Sequence, residues 1–515
     1  MPLQNALILD NWIPRAGYVE IRRGFVPQQT GTPGPVESMM AYRGTPSGDR
    51  LFACSGGKIY DTSVKGAALG SPVYSGCTSN RWNYINYANA AGAWLLGFNG
   101  ADVPISYNGA AFAAMAITGS SGPITLNPNL LFTAAIHQGR ILALEQGTLR
   151  CWFPAAGAIQ GAYQLLDLGS VFSKGGQLVA IGTWNWPGLQ PDAYVSFITN
   201  QGQVAVYQGI DPSDATKWSL VGVYNTGRPL GPRALVQFGT DLMVVTTDGI
   251  VPMSQLLAAD VSKTEARAIT AKIASAFASA VRAYRNNYGW QGIFYPGDTT
   301  SANATADGGG LAIFNIPTAS LSTSMQFVQN TLTGAWCRFP TGINAFCWEV
   351  ANNCIYFGST AGVYQWDLGS SDNGQTITYD IKGAFSNFGS ANTKQFTMVR
   401  PLLNTLSIVA PTIDIDVDYQ ESVPVAQPVV VQPTTVTPSI RYDWTGASGI
   451  GYVGAPRMQI VLRGDPGQSL MLVDAANDTL GVSTLDILAI SSGLPFDVPC
   501  QLIGFDLMYQ NGGAL

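Results

Sequence analysis

Short runs of alternating apolar and polar residues recur along the chain, each broken by a turn rich in Gly, Asn or Asp. The unit is an apolar strand, a Gly turn and an alternating strand. It reads DRLFACSGGKIYD (49–61), GAWLLGFNGADVPISYNG (92–109), GRILALEQGTLRCWF (139–153), DAYVSFITNQGQVAVYQG (192–209) and TDLMVVTTDGIVPMS (240–254). Two later copies are MQFVQNTLTGAWCRF (325–339) and NNCIYFGSTAGVYQWD (352–367). Period-2 patterning with Gly or Asn at the turn predicts β-hairpins, because those residues accept the positive φ that tight hairpin turns require.

Gly57, Gly100, Gly147, Gly202 and Gly249 stand 43, 47, 55 and 47 residues apart. A four-stranded propeller blade repeats every ~40–50 residues, so the predicted fold is an all-β protein, a β-propeller of about six to seven blades over 36–394. A sandwich or a string of small β domains is the competing arrangement, and the regular spacing favours the propeller. One segment departs from the pattern. SKTEARAITAKIASAFASAVRAYRN lacks Gly and Pro and places Ile269, Ile273, Phe277, Val281 and Tyr284 on one helical stripe. An inserted amphipathic helix is expected over about 262–286, packed across the propeller or reaching to a neighbouring subunit. Residues 1–35 form N-terminal strands or an arm. Residues 395–515 form a smaller C-terminal β domain with strands in PTIDIDVDYQ, RMQIVLRG, QSLMLVDA and CQLIGFDLMY. Within it AQPVVVQPTTVTPS (426–439) is a Pro/Val/Thr-rich linker or arm.

Composition sharpens this picture. Only 11% of the 515 residues are charged, 58 in number, whereas a typical soluble chain of this length carries ~129. The 26 Asp against 6 Glu and 18 Arg against 8 Lys favour turns over exposed helix faces. A net charge of -6 argues against a nucleic-acid binder that works through a broad basic face. No apolar run is long enough for a membrane-spanning helix. The opening MPLQNALILDNW lacks the basic start of a secretory signal. Cysteines 54, 77, 151, 337, 347, 354 and 500 show no CxxC spacing, and free buried thiols in a chain folded in a cytoplasm fit better than a disulfide framework.

Candidate chemistry is sparse. The single histidine, His137, heads a strand, and no Ser-His-Asp or Cys-His site can be built without it. No cofactor or metal site is expected from the Cys and His spacing. Gly449, Gly451 and Gly454 fit GxGxxG, but Pro456 and an alternating strand follow where a dinucleotide site needs a helix N-terminus. SSDNGQTI sets Ser370, Asp372, Gly374 and Thr376 at the positions of an Asp-box turn, with Ile377 in place of the final Trp, and an ordinary Asp/Gly turn is an equal alternative. In such turns the Asp caps backbone N–H groups, a structural role. Glu145 and Glu349 are the strand-borne carboxylates that a two-acid glycoside hydrolase would need. Trp184 and Trp186 in TWNWPG offer sugar-stacking rings for a carbohydrate-binding (lectin-like) propeller. Asp414, Asp416 and Asp418 alternate along one strand and suit a solvated face, a Ca²⁺ site or the lining of an aqueous channel.

Several stretches resemble the tail nozzle (tail-tube or hub) proteins of short-tailed bacteriophages. They are NALILDNWIPRAGYVEIRRGF (5–25), FNGADVPISYNG (98–109), VSFITNQGQVAVYQGIDPSDATKWSLVGVYNTGRPLG (195–231), NTLTGAWCRF (330–339), YFGSTAGVYQWDLGSSDNG (356–374) and YQNGGAL (509–515). The resemblance implies a non-enzymatic virion subunit, made in the bacterial host cytoplasm. Six copies would form a ring beneath the head-to-tail adaptor. Genomic DNA would pass through the lumen during ejection, and tail fibres or tip proteins would attach outside. Asp414, Asp416 and Asp418 would line that lumen.

Overall fold

In blade-forming strands both faces are buried, and this follows from where their alternate side chains go. In Ser38–Tyr42, Met39 and Ala41 pack with Cys347, Tyr356 and Val363 of the last repeat, whereas Met40 and Tyr42 pack with Trp82, Leu95 and Tyr107 of the next. The neighbouring strand Arg50–Ser55 divides Leu51 and Ala53 from Phe52 and Cys54 in the same way. Each sheet is therefore sandwiched between two others.

The computed structural model describes residues 6–44, 48–66, 68–184, 194–239, 241–258, 268–297, 310–383, 394–405, 412–417, 442–443, 458–464 and 500–511. It is a seven-bladed β-propeller. Blade 1 contains Ser38–Tyr42, Arg50–Ser55, Lys58–Asp61 and Tyr74–Ser75. Blade 2 contains Asn83–Asn89, Gly92–Phe98, Ile105–Tyr107 and Phe112–Ala114. Blade 3 contains Leu131–His137, Arg140–Glu145, Arg150–Phe153 and Gly161–Asp167, with Ile117–Ser121 added in parallel outside. Blade 4 contains Leu178–Trp184, Tyr194–Thr199, Gln203–Gly209 and Trp218–Asn225. Blade 5 has three strands among the described residues, Leu235–Phe238, Asp241–Thr246 and Gly249–Pro252. Blade 6 contains Gln291–Tyr295, Leu311–Ala319, Thr323–Asn330 and Trp336–Phe339.

Blade 7 is made from both ends of the ring. Cys347–Ala351, Cys354–Gly358 and Gly362–Trp366 are completed by Phe25–Thr30, paired antiparallel from Trp366↔Phe25 to Gly362↔Thr30. The first strands of successive blades are neighbours all the way round, the seventh meeting the first. One apolar cluster fills each of the seven blade interfaces.

Four of the spaced glycines occupy the turn between the second and third strands of blades 1 to 4, and Gly249 opens the third strand of blade 5 directly after that turn, each with φ between 72° and 134°. The helical segment is described over 269–284. A 3₁₀ turn, Ile269–Ile273, leads into Ala274–Tyr284, and residues 262–267 lie outside the described residues. Its predicted stripe faces inward. Phe277 and Val281 are buried in the interface of blades 5 and 6, with Ile269, Ile273 and Tyr284 packed against it.

Beyond the ring, Ala6–Asp10 lies between the outer strand of blade 6 and Tyr379–Gly383, and that sheet continues through Met458–Gly464 to Thr412–Val417. A second sheet joins the hairpin Trp12–Pro14 and Val19–Ile21 to Cys500–Asn511, Lys394–Thr405 and Tyr442–Asp443. The C-terminal strands thus share both of their sheets with the N-terminal segment. QSLMLVDA, the stretch 426–439 and Gly449, Gly451 and Gly454 lie outside the described residues. Cys54, Cys77, Cys151, Cys337, Cys347 and Cys354 are free thiols.

Because every interface carries its own core, a cavity in one should weaken the whole ring. Phe52→Ala, at a side chain with no exposure, should cost about 3–5 kcal/mol in urea unfolding. Val64→Ala, at a residue 67% exposed, should change stability by less than about 0.5 kcal/mol. Equal effects of the two substitutions would contradict this division of the core.

Candidate functional site

Two polar constellations hold the ring. The first surrounds the turn predicted at 370–377. Asn373 and Gly374 both have positive φ, 51° and 85°, and Asp372 and Gln375 exchange backbone hydrogen bonds of 2.8 and 3.0 Å across them. This is a two-residue turn of the Asn-Gly kind. It does not sit within a blade hairpin, as the Asp-box reading implied. It follows the last strand of blade 7 and packs against the closing strand, where the Asn373 N–H donates to the Phe25 carbonyl at 2.9 Å.

The Asp372 side chain also departs from expectation. It does not cap the backbone but receives Arg22, whose Nη1 and Nη2 donate to Oδ1 and Oδ2 at 2.8 and 2.6 Å. Both residues are buried. Arg22 Nε donates to Asn11 Oδ1 at 2.7 Å, and the guanidinium lies over the Phe339 ring, 5.3 Å from its centroid. The turn's local cap comes from Ser371, whose hydroxyl accepts from the Gly374 N–H at 3.2 Å. Ser370 and Thr376 are half-buried beside it, and Ile377 is buried.

Two glycines make room for the pair. A Cβ on Gly342 would lie 2.1 Å from Asp372 Oδ2, and one on Gly24 would lie 1.9 Å from the Ser371 carbonyl oxygen. At Gly24 the backbones of the two chain segments touch, and only glycine permits it.

The second constellation crosses the axis. Arg233 precedes the first strand of blade 5, Tyr288 that of blade 6, Glu37 that of blade 1 and Trp82 that of blade 2. Arg233 Nη2 donates to the carbonyls of Glu37 and Trp82 at 3.2 and 3.4 Å, and Tyr288 Oη donates to the Glu37 carbonyl at 2.7 Å. Arg81 stacks on the same Tyr288 ring, 4.0 Å from its centroid, and its Nε donates to Glu37 at 2.8 Å. In a seven-membered ring blade 5 is as far as possible from blades 1 and 2, so these bonds tie the ring across its centre at the end where the inner strands begin.

Elsewhere around the hub, side-chain amides join inner strands that cannot pair with each other. Asn86 bridges blade 2 to blade 1, donating to the Ala41 carbonyl at 2.9 Å and accepting from the Arg43 N–H at 3.1 Å. Asn83 donates to the Phe132 carbonyl of blade 3 at 2.9 Å. Gln291 donates to the Trp348 carbonyl at 2.9 Å and accepts its N–H at 3.0 Å, joining blades 6 and 7. Buried backbone groups require partners, and these amides supply them.

The remaining candidates take structural places. His137 is buried, with Nε2 2.7 Å from the Gly209 carbonyl and its ring edge-on to Trp218. Glu145 in blade 3 accepts the Trp152 indole N–H at 2.9 Å and lies 3.7 Å from Arg150. Glu349 in blade 7 lies 3.4 Å from Arg43. Burial pushes its carboxyl above the ordinary value, opposed by Arg43 and a Tyr84 hydrogen bond. The two acids belong to blades three steps apart around the ring and share no partner.

Trp184, expected to offer a stacking face, is instead 1% exposed and stacked on Tyr194. Trp186 lies outside the described residues. Asp414 and Asp416 occupy alternate positions of the strand Thr412–Val417, opposite Val461 and Gln459, and Asp418 lies outside the described residues. Arg22, Arg233 and Tyr288 were not singled out from the sequence.

No family model matches the sequence, and no curated protein does. Among solved structures, the chain is similar to BBS1N crystallised in complex with ARL6DN, at 8% identity over 67% of this chain and 98% of that one, with a TM-score of 0.40. It is similar to YCF48 bound to D1 peptide at 10% identity, covering 71% and 99%, with a TM-score of 0.34. It is also similar to YCF48 from Cyanidioschyzon merolae at 8% identity, covering 67% and 98%, with a TM-score of 0.29. Among the described residues no helix is long and apolar enough to cross a membrane.

Removing one member of the buried Arg22–Asp372 pair leaves the other charge without its partner. Arg22→Met or Asp372→Asn should each cost about 3–5 kcal/mol in urea unfolding, and the double substitution should cost clearly less than the two added together. Strict additivity would show that the pair does not act as a unit.

Proposed function

We propose that the chain is a non-enzymatic structural subunit of a short-tailed phage virion. In this reading, copies of it form a ring-shaped tail nozzle that conducts the genome and carries fibres or tip proteins. The observation that carries the proposal is the coincidence of the nozzle-like segments with the frame of the molecule. Of the first segment, residues 6–25 form the N-terminal strands that border blades 6 and 7, and 98–109 span the turn and third strand of blade 2. Residues 330–339 lead into the outer strand of blade 6, and 356–374 run from blade 7 into the Asp372 turn.

Two physical points support the reading. The chain has ~70 fewer charges than a typical soluble protein of its length, which suits surface covered by other subunits. The carboxylates and the imidazole that a hydrolase would use are engaged in packing and local hydrogen bonds.

The Arg233–Tyr288 tie crosses the propeller's own axis, so the conduit of this proposal runs between copies and not through one. A lumen with few cations suits sliding DNA, since close phosphate contacts would hold it. Asp414, Asp416 and Asp418 are proposed to line it. The partners in this reading are other copies of the chain, a head-to-tail adaptor, and fibre or tip proteins.

Native mass spectrometry with negative-stain imaging tests the proposal. A closed ring of six 54.5 kDa chains, near ~327 kDa with a central hole, is the expected result, alone or on addition of a connector ring. A strict monomer under both conditions would remove the nozzle reading.

A further inference from the structure

The outer strand of a propeller blade ends its sheet with a row of free backbone N–H and C=O groups. Such an edge accepts a further strand unless it is short or covered. Among the described residues, the edges of six blades are one or the other. Tyr74–Ser75 and Phe112–Ala114, in blades 1 and 2, have two and three residues. Ile117–Ser121 lies along blade 3, and Ala6–Asp10 borders blade 6. In blade 5 the Ile250 N–H donates to the Thr270 hydroxyl at 3.3 Å, and on the closing strand of blade 7 the Gln28 carbonyl accepts the Gly66 N–H at 2.9 Å.

Blade 4 differs. Its outer strand, Trp218–Asn225, has eight residues and, among the described residues, pairs only with Gln203–Gly209. The Thr226 N–H donates to the Gly202 carbonyl at 2.8 Å, so antiparallel alternation turns the backbone of Tyr224 inward and that of Val223 and Asn225 outward. A register shift leaves Val221 without an opposite residue, and Leu220 and Val221 are 45% and 42% exposed. The strand carries no charge, but cations flank it. Lys217 precedes it, paired with Asp214 at 2.9 Å, and Arg228 follows, donating to Gln201 Oε1 at 3.3 Å.

One other long edge is open among the described residues. Thr412–Val417 ends the sheet that continues outward from blade 6, and it pairs only with Met458–Gly464. It has six residues, with Asp414 and Asp416 at alternate positions. Blades 4 and 6 stand two steps apart around the ring, so the two edges lie on different sides of the molecule.

We propose that these two edges meet between copies, the outer strand of blade 4 in one copy taking Thr412–Val417 of the next as an added strand. A free strand edge selects an extended backbone as its partner. The two aspartates of one edge complement the cations beside the other. The chain already uses this device on itself in blade 3, where three residue pairs, Ile117↔Gly161 to Gly119↔Tyr163, are enough. The straight run after the bulge, from Gly222 to Asn225, offers as many. Because the two edges are unlike, the contact is head-to-tail, and repeating it closes a ring where pairing of like edges would stop at a dimer. The inference rests on the reading that copies form a ring, and it names the strands that join them.

Hydrogen exchange on the full chain, dilute and assembled, tests it. Peptides covering Trp218–Asn225 and Thr412–Val417 should both exchange at least about tenfold more slowly in the assembly, with Phe112–Ala114 of blade 2 unchanged. Val221→Asp should keep the melting temperature of the single chain and raise the concentration at half-assembly about tenfold. Adding Asp414→Lys with Asp416→Lys should recover part of that loss. Rings that protect neither segment, or only the blade 4 strand, would overturn the pairing and leave the nozzle reading standing. Strictly additive losses in the charge-reversed chain would do the same. A chain that stays monomeric, with or without a connector ring, would remove both.

Discussion

The structure depends on closing a ring whose two ends are the two ends of one long repeat. Six blades could stack without it, each burying one face on the next, but the first and last would each leave a face exposed. The strand Phe25–Thr30 solves this by serving as the outer strand of blade 7, and it draws Met39 and Ala41 of blade 1 against Cys347 and Val363. Backbone pairing alone would leave that strand free to fray from its outer edge. The Arg22–Asp372 pair, 350 residues apart in sequence and buried, fixes its register at one end. Desolvating two charges is costly, and such pairs add less to net stability than to the choice of one arrangement over its alternatives.

A ring of sheets around an axis also creates a polar problem. The inner edge of each first strand faces the centre, where its N–H and C=O groups have no neighbouring strand at bonding distance. Asn83, Asn86 and Gln291 meet that demand between adjacent blades, while Arg233 and Tyr288 meet it across the diameter. These polar residues act as mortar, and they explain why so many amides are tolerated in a molecule otherwise packed with aromatic and aliphatic side chains. The same logic accounts for His137 and Glu145, which are buried beside the indoles of Trp218 and Trp152.

Much of the body was legible in the sequence because its signals are local. Gly57, Gly100, Gly147, Gly202 and Gly249 mark equivalent turns in five consecutive blades, since a tight turn imposes the same backbone demand wherever it occurs. The signal fades in blades 6 and 7 because those turns are made differently. Leu321 takes the positive φ in blade 6, and in blade 7 the turn runs through 359–361. The helical stripe from Ile269 to Tyr284 was legible for the same reason as the turns, since its period is written in neighbouring residues. The polar ties were hidden. Nothing near Arg22 announces a partner 350 residues away, and Asp372 resembled a capping acid because its turn is the kind that a capping acid favours. Trp184 had the composition of an exposed platform, yet the interface of blades 4 and 5 claims it.

The order in which the chain is made gives the closing strand a further significance. Phe25–Thr30 leaves the ribosome early, and its partner Gly362–Trp366 follows about 330 residues later. At ~5–20 residues per second, translation leaves that strand without its partner for roughly 20–70 s. Throughout that interval blade 1 also lacks the neighbour that covers Met39 and Ala41. A nascent ring of this kind is an open arc with two unsatisfied ends, and its yield in the cell depends on what shelters those ends until the last blade emerges.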